Sequence, residues 1–263
     1  MFLTRIFLNP SRRGCRELIS SRQRLHAVVL NCFPPGALDA PEEGRLLWRL
    51  DGSGAARASR RAVGGRAHEA LILYVSSPVP MDPSLIVETA GYATDEGVTV
   101  RDTGAFLEAL SPGQRWGFRI TVNPTFRDTK QRNGKGKKKT LAHVTIAQQT
   151  QWLLDRTEAN GFSILTSRKI GGDLVTLDSR QAAEGVAFVA FAGERVDGAN
   201  LVVDCVGRGI EKFQHDGTYV TIQMATFQGV LEVRDPARLR ACLVGGMGRS
   251  KAYGCGLMTL ARP

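Results

Sequence analysis

The chain has 263 residues, 43% of them hydrophobic, with a formal net charge of +10 and a pI near 9.8. That length suits one large domain or two of about 100–130 residues, with enough apolar material for a sizeable core. The basic surplus favours polyanionic partners, and no apolar run approaches the roughly 20 residues of a membrane span, so no membrane partner is expected.

The first element is a strand over residues 2–9 (F-L-T-R-I-F-L-N), closed by Pro10. Residues 14–32 follow as one helix, with Leu18, Leu25, Val28, Val29 and Cys32 at helical spacing and Pro34-Pro35 as its stop. Short strands are expected over 46–50, 70–76 and 115–122, with a Gly/Ala/Ser/Arg-rich loop over 51–66. The run 127–139 holds seven Lys or Arg residues against one acid and three glycine or asparagine turn formers, so it reads as a loop. A helix over 145–160 comes next, then extended chain over 162–178. Residues 219–234 alternate as one long strand, or as two broken at Gly229, after a hairpin turn at Asp216-Gly217. Pro236 opens a helix to Leu243, and a glycine turn leads into a last strand over 257–261.

This order fits an α+β fold of two tandem ferredoxin-like (RRM-like) halves, a recurrent platform for RNA. The expected division is 1–124, a basic linker loop over 125–144, and 145–263. Five cysteines (15, 32, 205, 242, 255) form no C-x-x-C pair and no metal-like spacing with histidine. They read as reduced, buried thiols in a cytoplasmic protein, and the N-terminus lacks the pattern of a signal peptide. No metal site and no cofactor is expected.

The most informative segment is G-G-M-G-R-S-K-A-Y-G-C-G-L-M-T-L-A, from residue 245 to 261. Its lysine does not follow directly on a glycine as a Walker A loop requires, and the loop runs from helix to strand, the reverse of a Rossmann turn. It is either a plain glycine turn or a phosphate-gripping loop in which Arg249 and Lys251 join close-approaching backbone at Gly246 and Gly248. His26 shares a helix face with Arg22 and Gln23. An imidazole suits RNA scission, which needs a proton moved during in-line attack of a 2′-hydroxyl, with cations such as Arg24 or Lys251 stabilising the crowded phosphate. The basic residues Arg127, Lys130, Arg132, Lys135, Lys137, Lys138 and Lys139 would track phosphates with little base reading. His68, His143 and His215 have no metal-like neighbours and read as structural.

These features resemble the CasE family, the CRISPR RNA-processing endoribonucleases of type I-E Cascade. The resemblance runs nearly end to end, through L-T-R-I-F-L-N-P at the start, Leu25-His26, G-R-L-L-W-R-L at 44–50, P-G-Q-R at 112–115, F-R-I-T-V-N-P at 118–124, F-Q-G-V-L-E-V at 227–233 and the glycine segment. It implies a metal-independent endoribonuclease that binds the CRISPR repeat RNA hairpin, cuts at the 3′ base of the stem, leaves a cyclic phosphate and stays bound beside other Cascade subunits. His26 falls on the family's catalytic histidine. Where the family often has a tyrosine, this chain has Gln23, which can position a phosphate or hydroxyl but cannot titrate. The catalytic set is then His26, Gln23 and Lys251, with Arg22 and Arg24 lending charge and Gly246, Gly248, Arg249 and the 127–139 run binding RNA. A non-catalytic subunit capping the 3′ hairpin is the alternative.

Overall fold

A computed structural model of the chain describes residues 1–40, 44–52, 71–92, 97–132, 138–170, 173–177, 199–215 and 218–262. They form two compact units. The first comprises Met1–Ala109, Gly209–Ile222 and Val244–Leu257; the second comprises Leu110–Arg208, Gln223–Leu243 and Met258–Pro263.

The first unit opens with β1 (Phe2–Leu8), then α1 (Arg13–Ile19) and α2 (Arg22–Leu30). The single helix expected over 14–32 is two helices. Ser21 adopts an extended conformation and its side chain accepts from the Arg24 amide, so the serine begins a new helix instead of continuing the old one. After β2 (Leu47–Asp51) and β3 (Leu71–Ser77) come α3 (Ser84–Ala90), β4 (Val98–Asp102) and the short α4 (Gly104–Glu108). Helix α3, strand β4 and helix α4 have no counterpart among the elements expected from sequence. The four strands pair antiparallel in the order β2-β3-β1-β4. Ile6, Leu8, Leu73 and Val75 on one sheet face pack with Cys15 and Leu18 of α1, Leu25 and Val29 of α2, and Ile86 of α3.

The second unit repeats that plan. Strand β5 (Arg115–Val122) has the bounds expected from sequence, and β6 (Thr125–Arg132), β7 (Lys138–Ala142) and α5 (Ile146–Leu154) follow. A capping box between Thr145 and Gln148 starts α5, and the helix stops well short of 160. Next are β8 (Phe162–Ile164), the small sheet of β9 (Thr166–Ile170), β10 (Asp173–Leu177) and β11 (Ala199–Leu201), then the long strands β12 (Val203–His215) and β13 (Thr218–Val233). The chain ends with α6 (Pro236–Gly245), a 3-10 turn at Lys251–Tyr253 and β14 (Met258–Ala261). Strand β13 is continuous through Gly229. Around β5 the order is β8-β13-β5-β14, so each unit is a βαββαβ sheet with its strands in the order second, third, first, fourth. That is the ferredoxin-like arrangement twice over.

The basic run is not a loop where it is described. Arg127 pairs opposite Thr140 and Arg132 opposite Lys138 in an antiparallel two-stranded sheet, with an irregularity between. A ribbon pairs through its backbone and does not require a buried face, which is why charged side chains hide it from periodicity. The segments 53–70 and 178–198 and the turn expected at 216–217 lie outside the described residues.

Candidate active site and nucleic-acid interface

Strand β2 organises the site within the first unit. Side chains alternate along a strand; Trp48 and Leu50 therefore face α1 and α2, while Leu47, Arg49 and Asp51 face the other way. All five residues are buried, although β2 is an edge strand. The cover comes from the glycine segment, which folds around that edge. A Cβ at Gly246 would meet the Leu47 side chain at 2.7 Å, and the Leu257 carbonyl accepts from Arg49 at 3.1 Å on one face. On the other face Gly254 lies against the indole of Trp48.

Gly254 has no substitute there. Its φ is +80°, and an added Cβ would sit 2.6 Å from Trp48 Cζ3 and 3.0 Å from a terminal nitrogen of Arg22. Ser250 also has a positive φ, 62°, and the amides of Tyr253 and Cys255 turn back to its carbonyl. Gly248 and Arg249 stand exposed at the outer bend. Lys251 is half-buried and donates to the Gly245 carbonyl at 2.5 Å, bracing the turn.

Helix α2 packs against the Lys251–Tyr253 turn. From it the half-buried His26 presents Nδ1 to the Trp48 indole N–H at 3.4 Å. One helical turn earlier Arg22, only 8% exposed, lies over the same indole with its guanidinium carbon 5.7 Å from the ring centre. Trp48 thus joins His26, Arg22 and the glycine turn. Arg22 also approaches Glu211 of β12 at 3.9 Å, and Phe213 on that strand stacks on Tyr253 at 4.6 Å. Gln23 is half-buried on α2, whereas Arg24 is exposed and donates to the Glu17 carbonyl of α1.

Burial, and then the charge of Arg45, push the His26 pKa below its ordinary value, which favours the neutral ring. Burial likewise lowers Arg22, opposed by Glu211, and raises the Cys255 thiol to about 12 against the pull of Arg22. That thiol is inert at neutral pH. Below the turn, Arg49 (1% exposed) forms a bidentate pair with Asp51 at 2.8 and 2.9 Å and lies over Tyr74.

In the second unit Arg127 and Lys139 are exposed on the basic ribbon, Lys130, Arg132 and Lys138 lie on its strands, and Lys135 and Lys137 are outside the described residues. The ribbon's base is anchored: Trp152 of α5 donates to the Thr125 carbonyl at 3.1 Å, and Phe126 stacks on His143 at 4.8 Å. Among the described residues no group of three or more His, Cys, Asp or Glu could hold a metal ion, and no helix is long and apolar enough to cross a membrane.

Trp48, Arg45 and the Arg49–Asp51 pair were missed as site residues by motif reading. The only signal was the W-R-L-D run, a large aromatic flanked by charge inside a short strand.

Fold and site together define a tandem ferredoxin-like protein with a histidine-bearing helix set against a cationic glycine turn. The family model described as CRISPR associated protein matches residues 1–262. The CRISPR-associated endoribonuclease Cse3 of Thermus thermophilus is 29% identical over 265 residues, 99% of this chain and all of that protein. The structure of Thermus thermophilus Cse3 bound to an RNA representing a pre-cleavage complex is similar, with a TM-score of 0.64 and 27% identity over 99% of this chain and 98% of that one. Cse3 bound to a 19-nucleotide RNA gives 0.66 and 25% over 99% of this chain and all of that one. The chain belongs to the CRISPR-associated protein family, in its CasE (Cse3) branch.

Proposed function

We propose that this chain is a metal-independent endoribonuclease that binds the repeat hairpin of precursor CRISPR RNA and cuts it by attack of a 2′-hydroxyl on the adjacent phosphate. The new bond is 2′-oxygen to phosphorus, the broken one is phosphorus to 5′-oxygen, and the products end in a 2′,3′-cyclic phosphate and a 5′-hydroxyl. The observation that carries this reading is the meeting of His26 and the Lys251 turn on one indole, in a chain matched along its whole length to an endoribonuclease.

In this reading His26 serves the proton movements at the cut, Gln23 positions the phosphate or hydroxyl, and Arg24 and Lys251 offset the charge that builds on phosphorus. Arg22, buried against Trp48, acts through the site's framework and its positive field. Arg249 and backbone at Gly246 and Gly248 contact the RNA, as does the basic run of Arg127, Lys130, Arg132, Lys135, Lys137, Lys138 and Lys139. The protein then stays on the product hairpin and assembles with the other Cascade subunits in the cytoplasm.

A labelled repeat hairpin incubated with the protein in excess EDTA tests the chemistry. Cleavage at an undiminished rate is expected, and none on a substrate with deoxyribose at the cut site. Loss of activity on chelation would end the metal-free mechanism. Intact RNA in every lane with tight binding would make the chain a non-catalytic hairpin cap, a reading to which Gln23 in place of the family's tyrosine lends some weight.

The ribbon has its own test. Each phosphate neutralised on a duplex adds about 0.9 to the slope of log affinity against log salt. Changing Lys135, Lys137, Lys138 and Lys139 together to alanine should flatten that slope by about 3.6, if each lysine meets one phosphate, and weaken binding to all hairpins alike. An unchanged slope would remove the ribbon from the RNA interface.

A further inference from the structure

We propose that Trp48 is a positioning residue that holds His26 in the neutral tautomer with its proton on Nε2, turning that N–H to the RNA as a hydrogen-bond donor. The inference rests on the ribonuclease reading above and specifies which nitrogen meets the substrate and in what state.

An indole nitrogen only donates. The ring nitrogen facing it, Nδ1 at 3.4 Å, must therefore accept, and a neutral imidazole that accepts at Nδ1 carries its proton at Nε2. Both alternative states lose this contact. An imidazolium would aim an Nδ1 proton at the indole proton, and the other neutral tautomer would do the same. The indole cannot give way, because Trp48 is 0% exposed, packed among Leu25, Val29 and Val75, and faced by Gly254 and Arg22 on its far edge. The donor is thus fixed by the core while the acceptor sits at the surface, half-buried on α2. Desolvation and Arg45 act in the same direction, against the charged ring.

The charged and titratable groups on the elements around α2 are Arg13, Cys15, Arg16 and Glu17 on α1, Glu88 on α3, Arg49 and Asp51 on β2 with Arg45 just before it, Glu211 of β12 facing Arg22, and Lys251 and Tyr253 on the 3-10 turn. Glu17 is occupied by Arg13, Asp51 by Arg49 and Lys251 by the Gly245 carbonyl. Of these groups Arg45 is the one that shifts the His26 ring electrostatically.

Long-range 1H–15N spectra of the full chain test this without RNA, since only four histidines contribute and a His26→Asn variant assigns the signal. The wild type should show a pyridine-like Nδ1 and a pyrrole-like Nε2 for His26. Trp48→Phe, which keeps a ring in the core but removes the N–H, should mix the tautomers and raise the His26 pKa. It should also slow single-turnover cleavage roughly ten- to hundred-fold at unchanged RNA affinity. Arg45→Ala should raise the pKa as well but leave the tautomer as it was. A pyrrole-like Nδ1 in the wild type, or a Trp48→Phe spectrum and rate identical to wild type, would overturn the proposal. Should Trp48→Phe fail to fold, the wild-type spectrum decides alone. A correct tautomer in a protein that cuts no hairpin would instead leave Trp48 in its role and remove the ribonuclease reading.

Discussion

His26→Ala should lower single-turnover cleavage of a repeat hairpin by about 10²–10⁴-fold, the range a positioned proton-transfer group supplies, with binding affinity held. The imidazole is half-buried and its one described hydrogen bond is to Trp48. Its removal therefore costs the fold on the order of 1 kcal/mol, too little to unfold a unit with a core of this size. Rapid-mixing cleavage beside a gel shift and a thermal melt separates the two effects. Cleavage within a fewfold of wild type would show that the chemistry belongs to other groups.

Asp51→Ala should produce the largest loss of stability of any single change near the site. Arg49 is fully buried, and Asp51 supplies both oxygens of its bidentate pair. Removing one member of a buried ion pair costs about 3–5 kcal/mol, because the desolvated charge that remains has lost its counter-ion. Arg49 also holds the Leu257 carbonyl where the glycine segment leaves β2. The variant should accordingly lose cleavage through a displaced turn even though His26 is untouched. Denaturant titration checks the first effect and protease sensitivity around 246–257 the second. Replacing the pair together, Arg49→Met with Asp51→Leu, should cost less than Asp51→Ala alone, since no buried charge is then stranded. A double variant as unstable as the single one would mean that packing, not electrostatics, sets the loss.

Much of this was legible in the residues. Strand β5 was readable to its ends because Phe118, Ile120 and Val122 alternate with polar or small neighbours and a Pro follows. The helix at Pro236 and the turn after it announce themselves through Pro at the start and glycines at the end. Other elements left little trace. Helix α3 is two turns long, and β4 is an edge strand exposed over much of its length, so neither needs a strong apolar pattern. Strands β6 and β7 pair with each other, and a run of charged residues there carries no apolar alternation to mark them. Two sites of chemistry, His26 and the glycine turn, could be named from residue types. What joins them could not, because the Trp48 contact depends on β2 register and on a chain segment some two hundred residues later closing over a sheet edge.

That closure bears on how the molecule can be taken apart. Residues 244–257 belong to the same compact unit as β1 and α2, so a recombinant piece ending near Pro124 would carry the imidazole but present the Trp48 and Arg49 side chains to water. Deletion mapping that treats the front of the gene as a self-sufficient module would assign the nuclease to the wrong half.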